Sequence, residues 1–149
     1  YPFSTSLYEK PLFDEHTLTL PAFKKIFDQH LESFVNKKIS ESKVICSNKI
    51  IQTLFEHTHV ITTSGGKRVR PFITYLAYKT EGGMNDESII KALVGIELFH
   101  IFALIHDDII DRASERHGVK TLHALAQEMY KELYAHQNFE GLINDEESL

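Results

Sequence analysis

Residues 99–118, FHIFALIHDDIIDRASERHG, run an apolar segment of helical spacing straight into three aspartates. On a helix Asp107 and Asp111 lie four residues apart, stacked on the same face. His100 reaches that face two turns earlier, while Asp108 points roughly 100° away from Asp107. Stacked carboxylates beside an apolar run are costly to bury without a cation to neutralise them. The pattern therefore predicts a site for a hard divalent cation such as Mg²⁺, which prefers oxygen ligands and is often shared with a phosphorylated substrate. Asp107 and Asp111 are the expected metal ligands. Asp108 is expected to form a salt bridge or to support the pair from behind.

The remaining pattern is helical, and the expected fold class is all-α. Phe23, Ile26, Phe27, Leu31, Phe34 and Val35 share one helical face behind Pro21, a residue suited to a first turn. A second amphipathic helix is expected over about 41–58, using Val44, Ile51, Leu54 and Phe55. The few residues near Val60 are the one stretch with strand character, and Gly65-Gly66 punctuates a loop. Further helices are expected at 71–80, 87–111 and 120–135, the second of them apolar on most sides and therefore central. Residues 1–20 read as an arm, and 136–149 as a polar tail without a buried face. The span 21–149 reads as part of one domain.

Composition narrows the function classes. At 149 residues and 42% hydrophobic content, the chain can bury one core. A net charge of −5 argues against a nucleic-acid partner. The single cysteine, Cys46, excludes an internal disulfide and fits a reducing, cytoplasmic setting. The apolar run 92–105 is broken by Glu97 and His100 and is too short for a membrane span.

A second motif, Gly65-Gly66-Lys67-Arg68-Val69-Arg70-Pro71, sets three cations just before a helix N-terminus, where free amides and the helix dipole favour anions. Lysine supplies a point charge and arginine a forked donor to phosphate oxygens. A carboxylate pair for cations and a basic loop for anions together suggest a phosphorylated substrate bridged by Mg²⁺. The apolar residues Phe99, Phe102 and Ala103 suggest that the rest of that substrate is greasy.

These two motifs resemble those of the trans-isoprenyl diphosphate synthases, the polyprenyl synthetase family. GGKRVRP is similar to the family's GGKxxRP, and IHDDIIDRASERHG to its first aspartate-rich motif, DDxxD followed by an arginine pair and glycine. The resemblance covers about 21–123. It implies a helical bundle around a central cavity, usually as a homodimer, and head-to-tail condensation of isopentenyl diphosphate with an allylic diphosphate. The allylic substrate would ionise, the isopentenyl double bond would attack the cation, and a proton would be eliminated. By the same resemblance Asp107, Asp111 and Lys67 are the catalytic groups, the two aspartates binding Mg²⁺ on the allylic diphosphate. Lys67, Arg70 and His100 would hold isopentenyl diphosphate, and Arg116 would contact the allylic diphosphate. Phe102 and Ala103 occupy the chain-length positions, implying a product of about C15 to C20 set by how far the cavity floor lets it grow.

Two departures from the family pattern stand out. His117 replaces the second arginine, substituting a titrating group for a permanent charge; isopentenyl diphosphate binding is expected to be weaker or pH-dependent. The family's second aspartate-rich motif has no counterpart in these residues, so they are expected to be the N-terminal portion of a synthase and inactive by themselves. Two other readings compete. A non-catalytic regulatory or scaffold subunit would explain the missing motif but has no need of stacked carboxylates. A phosphohydrolase of the HD type would use His106-Asp107 but leave GGKRVRP unexplained.

Overall fold

The computed structural model describes residues 12–13 and 18–135 of the chain. Most of the arm expected for 1–20, and the tail expected for 136–149, lie outside the described residues. Helix α1 (Leu20–Ile45) begins where the Thr19 side chain accepts the Ala22 N–H, with Pro21 in the first turn. It buries Phe23, Phe27, Leu31 and Val35 at a spacing of four, and lies against three other helices, α2 (Lys49–Thr63), α3 (Val69–Thr80) and α4 (Asp86–Ile110).

The first two helices meet later in the chain than the expected boundary near 41. Residues 41–45 complete α1, Cys46 is extended, and the Asn48 side chain accepts the Ile50 and Ile51 N–H groups. An asparagine that satisfies two otherwise orphaned amides starts a helix more firmly than the apolar spacing upstream of it. The strand character expected near Val60 is also not realised: 60–63 forms the last turn of α2. The Thr62 and Thr63 hydroxyls donate to the carbonyls of Thr58 and His59, and Thr62 is 1% exposed. Packing overrides the β preference of branched residues there.

The α3–α4 corner is closed by paired caps. Gly82, at φ 81°, and Gly83 donate their N–H groups to the carbonyls of Lys79 and Tyr78, a Schellman ending. The Tyr78 hydroxyl accepts the Asn85 N–H at 2.8 Å, and Asn85 caps α4 through Ser88. Asp86, 4% exposed, accepts hydrogen bonds from the Tyr75 hydroxyl, Lys79 Nζ and the Leu12 N–H. Its charge also suits the positive end of α4. The Leu12 bond draws Phe13 into the core, where its ring lies 4.9 Å from Tyr75 and 5.5 Å from Phe23.

Along α4 one stripe (Ile90, Leu93, Val94, Glu97, Ile101, Asp108) is buried against the bundle. The opposite side, including Phe99 and Ile110, is exposed. The helix expected to be central because it is apolar on most sides is therefore buried along one side among the described residues. Its 25 residues are long and apolar enough to cross a membrane, which the shorter run 92–105 did not suggest. Glu97 and Asp108, however, tie it by ion pairs to Arg68 and Arg116. Its C-terminus is a second Schellman ending, with Arg112 at φ 51° where glycine is usual.

Beyond it, β1 (Glu115–Arg116) and β2 (Val119–Lys120) pair antiparallel around His117-Gly118, both at positive φ. A two-residue hairpin turn with left-handed backbone matches the twist of its strands. His57 Nε2 donates to the Lys120 carbonyl at 2.6 Å, holding the hairpin against α2, and α5 (Leu122–Tyr134) follows.

Candidate diphosphate-binding site

The basic loop owes its shape to glycine and to one buried arginine. At Gly66 the backbone adopts φ 123°, and a Cβ there would lie 2.9 Å from Arg68 Nη1. Arg68 takes a left-handed conformation (φ 52°, ψ 31°) just before α3, and its guanidinium turns inward. Nη1 donates to Glu97 Oε1 at 2.7 Å, Nε to Asp28 Oδ1 at 2.7 Å, and Nη2 to the Thr62 carbonyl at 2.9 Å. Burial by itself would lower the Arg68 pKa, but the hydrogen bonds and charges of Asp28 and Glu97 outweigh it and raise the pKa above the ordinary arginine value. Removing one partner of a buried pair of this kind costs about 3–5 kcal/mol, because the other charge is left uncompensated.

With Arg68 turned in, Lys67 and Arg70 turn out. Both are exposed, and Arg70 Nη1 donates to His100 Nε2 at 3.0 Å. In that geometry His100 Nε2 is an acceptor, so a proton on the neutral ring sits on Nδ1. Lys67, His100, Arg116 and His117 line one cavity of about 510 Å³, within the range of about 300–1,000 Å³ common for small-molecule sites. Ile61, Ile101, Leu104 and Ile105 form its apolar wall.

The aspartates divide between two environments. Asp108, 4% exposed, lines the cavity and accepts from Arg116 Nε at 2.8 Å and Nη2 at 2.7 Å. The hydrogen bond that Arg116 donates to Asp108 raises the Arg116 pKa above its ordinary value, burial opposes it, and the charges of Asp108, Asp107 and Asp111 add to the rise. Asp107 and Asp111 are exposed at the C-terminal end of α4 and do not line this cavity. Both sit where the helix dipole favours cations, and their oxygens suit a hard divalent ion. Among the described residues no three His, Cys, Asp or Glu groups converge to hold a metal by themselves. Two carboxylates can supply only part of a hard divalent ion's oxygen shell.

Of the residues singled out in the sequence, the structure thus gathers Lys67, His100, Arg116 and His117 around one cavity, with Arg70 bonded to His100. Phe102 lies farther round α4, 56% exposed, its ring 4.9 Å from His106 and 6.4 Å from Phe99; Ala103 is half-buried. Arg68, by sequence one of three loop cations suited to an anion, is instead turned inward to Glu97 and Asp28, two residues to which the sequence pattern gives no role. The available signal was Glu97 itself, a charge interrupting an apolar run. Nothing in the sequence joins Asp28 to Arg68 across forty residues.

A model of one family, described as polyprenyl synthetase, matches residues 51–132. The chain is 35% identical to a geranylgeranyl diphosphate synthase of Sulfolobus acidocaldarius over 97 residues, 65% of this chain and 29% of that protein. It is 32% identical to a short chain isoprenyl diphosphate synthase of Methanocaldococcus jannaschii over 114 residues, 76% and 29% of the two chains. It is 48% identical to a geranylfarnesyl diphosphate synthase of Aeropyrum pernix over 63 residues, 42% and 20%. The chain spans less than a third of the length of the curated relatives it matches. No solved structure matches it.

Proposed function

We propose that this chain, a member of the polyprenyl synthetase family, carries the isopentenyl diphosphate pocket and the first aspartate pair of a short-chain prenyltransferase. The observation that carries the reading is the cavity in which the Lys67 loop meets His100 and Arg116, next to the exposed Asp107 and Asp111. The reaction is condensation of isopentenyl diphosphate with an allylic diphosphate, giving a product of about C15 to C20, a length limited by how much room the apolar pocket leaves.

Each residue has a physical task in that reaction. Lys67 and Arg70 neutralise the diphosphate of the homoallylic substrate, and His100 orients Arg70 through their hydrogen bond. Ile61, Ile101, Leu104 and Ile105 keep water from the reacting carbons, which protects a cationic intermediate. Asp108 holds Arg116 at the mouth, where its guanidinium faces the allylic diphosphate. Asp107 and Asp111 would hold Mg²⁺. When bound, that ion neutralises diphosphate charge and makes it a better leaving group.

The test is product formation by the full-length protein from isopentenyl diphosphate and geranyl or farnesyl diphosphate with Mg²⁺, read by mass spectrometry. Elongated prenyl diphosphate is the expected product. Hydrolysis of simple phosphate esters without condensation would favour the HD-type reading. Absence of turnover, coupled with stimulation of a partner synthase, would favour the scaffold reading.

Phe102 and Ala103 are proposed to limit chain length. Replacing Phe102 by alanine in the full-length enzyme is expected to shift the product distribution to longer chains, and an unchanged distribution would reject the assignment. We further propose that the protein works as a homodimer in the cytoplasm. The exposed apolar side of α4 supports association, and the free Cys46 is in keeping with a reducing compartment.

A further inference from the structure

We propose that Arg68 is the positioning residue of the basic loop, its buried guanidinium fixing where Lys67 and Arg70 stand, and so setting the affinity of the isopentenyl diphosphate pocket. The inference rests on the reading of that pocket given above. Arg68 is 4% exposed, and its guanidinium makes three hydrogen bonds to three different helices: Asp28 on α1, the Thr62 carbonyl on α2 and Glu97 on α4. It lies next in sequence to Lys67 and two residues before Arg70. The left-handed backbone at Arg68 and the open φ of Gly66 let the loop fold over the guanidinium, against which a Gly66 Cβ would clash.

The geometry separates two roles within one motif. Lys67 and Arg70 are exposed and offered to an anion, whereas Arg68, at the cavity wall, directs all three guanidinium nitrogens to protein oxygens. Glu97 and His100 lie three residues apart on α4, so Arg68 registers the loop against the same helix face that presents His100 to Arg70. Two independent ties, Arg68–Glu97 and Arg70–His100, thus hold the loop on α4. Loss of the first leaves the cations in place chemically but free to wander, and a pocket that must order its own ligands binds more weakly.

Asp28 offers a test from outside the pocket lining, one hydrogen bond behind Arg68. It does not line the cavity, it is a third exposed, and Lys24 pairs with its other oxygen. The comparison is Asp28→Asn and Arg68→Lys against the wild-type full-length protein. A lysine retains the charge but lacks the fork that serves three acceptors at once. Calorimetric binding of inorganic pyrophosphate, in EDTA to silence the carboxylate side, is read beside the KM for each substrate, kcat and thermal unfolding.

Both variants are expected to fold, to weaken pyrophosphate binding about fivefold or more, and to raise the KM for isopentenyl diphosphate in step. The KM for the allylic substrate and kcat are expected to change less than about twofold. Folded variants that bind pyrophosphate as the wild type does would overturn the proposal, as would equal rises in both KM values. Failure of the wild type to bind pyrophosphate would overturn it too. Wild-type pyrophosphate binding that weakens in the variants, without any condensation activity, would sustain the positioning role and reject the prenyltransferase reading alone.

Discussion

In the full-length protein, substituting Asp107 with asparagine is expected to slow the proposed prenyl transfer by about 100- to 1,000-fold, the scale seen when one group that stabilises developing charge is removed. The same change is expected to alter stability by less than about 0.5 kcal/mol, as for most surface positions. The reasoning is local. Asp107 is exposed on the last turn of α4, and no described side chain forms a hydrogen bond or ion pair with it. Its amide analogue has the same shape but one less negative charge for a divalent ion. Asp108→Asn is the natural control, because Asp108 is buried and engaged by Arg116. There the loss reaches stability as well as rate. Steady-state kinetics with purified product analysis, set beside thermal unfolding, separates the two. A fall in melting temperature for Asp107→Asn that matches its loss of rate would make the residue structural and remove it from the proposed metal site.

Phe23→Ala is expected to lower stability by about 3–5 kcal/mol, the range for truncating a fully buried aromatic. Phe23 is 0% exposed and sits at the centre of the aromatic cluster. Its ring lies 5.5 Å from Phe13, 5.4 Å from Phe27, 5.3 Å from Phe72 and 5.5 Å from Tyr75. Four rings from α1, α3 and the Leu12–Phe13 segment would therefore face the void. They cannot close on it together, since each is also held by its own helix or hydrogen bonds. The loss is a large part of the stability of about 5–15 kcal/mol typical of a domain. Urea unfolding of the two proteins measures it. Phe23 does not line the cavity, so kcat per folded molecule should hold; a loss below about 1 kcal/mol would show that the cluster repacks.

The elements that sequence patterns made legible are those whose signals are short in range. Pro71 near the start of α3, Asn85 ahead of α4 and the four-residue step from Asp107 to Asp111 each depend on a single turn of backbone. The β-branched run at 60–63 misled because its helical state depends on contacts beyond the run, among them the Thr62 carbonyl under Arg68. The hairpin around His117-Gly118 was missed for a related reason. Only two residues form each strand, too few for alternation to register, and its position depends on His57 far upstream.

The same division runs through the candidate site. Sequence alone determined which chemistry is present, a lysine–arginine loop and a carboxylate pair of helical spacing, because residue type and local periodicity carry that information. The tertiary structure alone decided the assignments within each motif. Among three neighbouring cations it turned Arg68 inward to Glu97 and Asp28 and left Lys67 and Arg70 outside; among three aspartates it buried Asp108 with Arg116 and left Asp107 and Asp111 exposed. A guanidinium or carboxylate can be buried only where partners from distant segments arrive to satisfy it, and that is a property of the assembled helices.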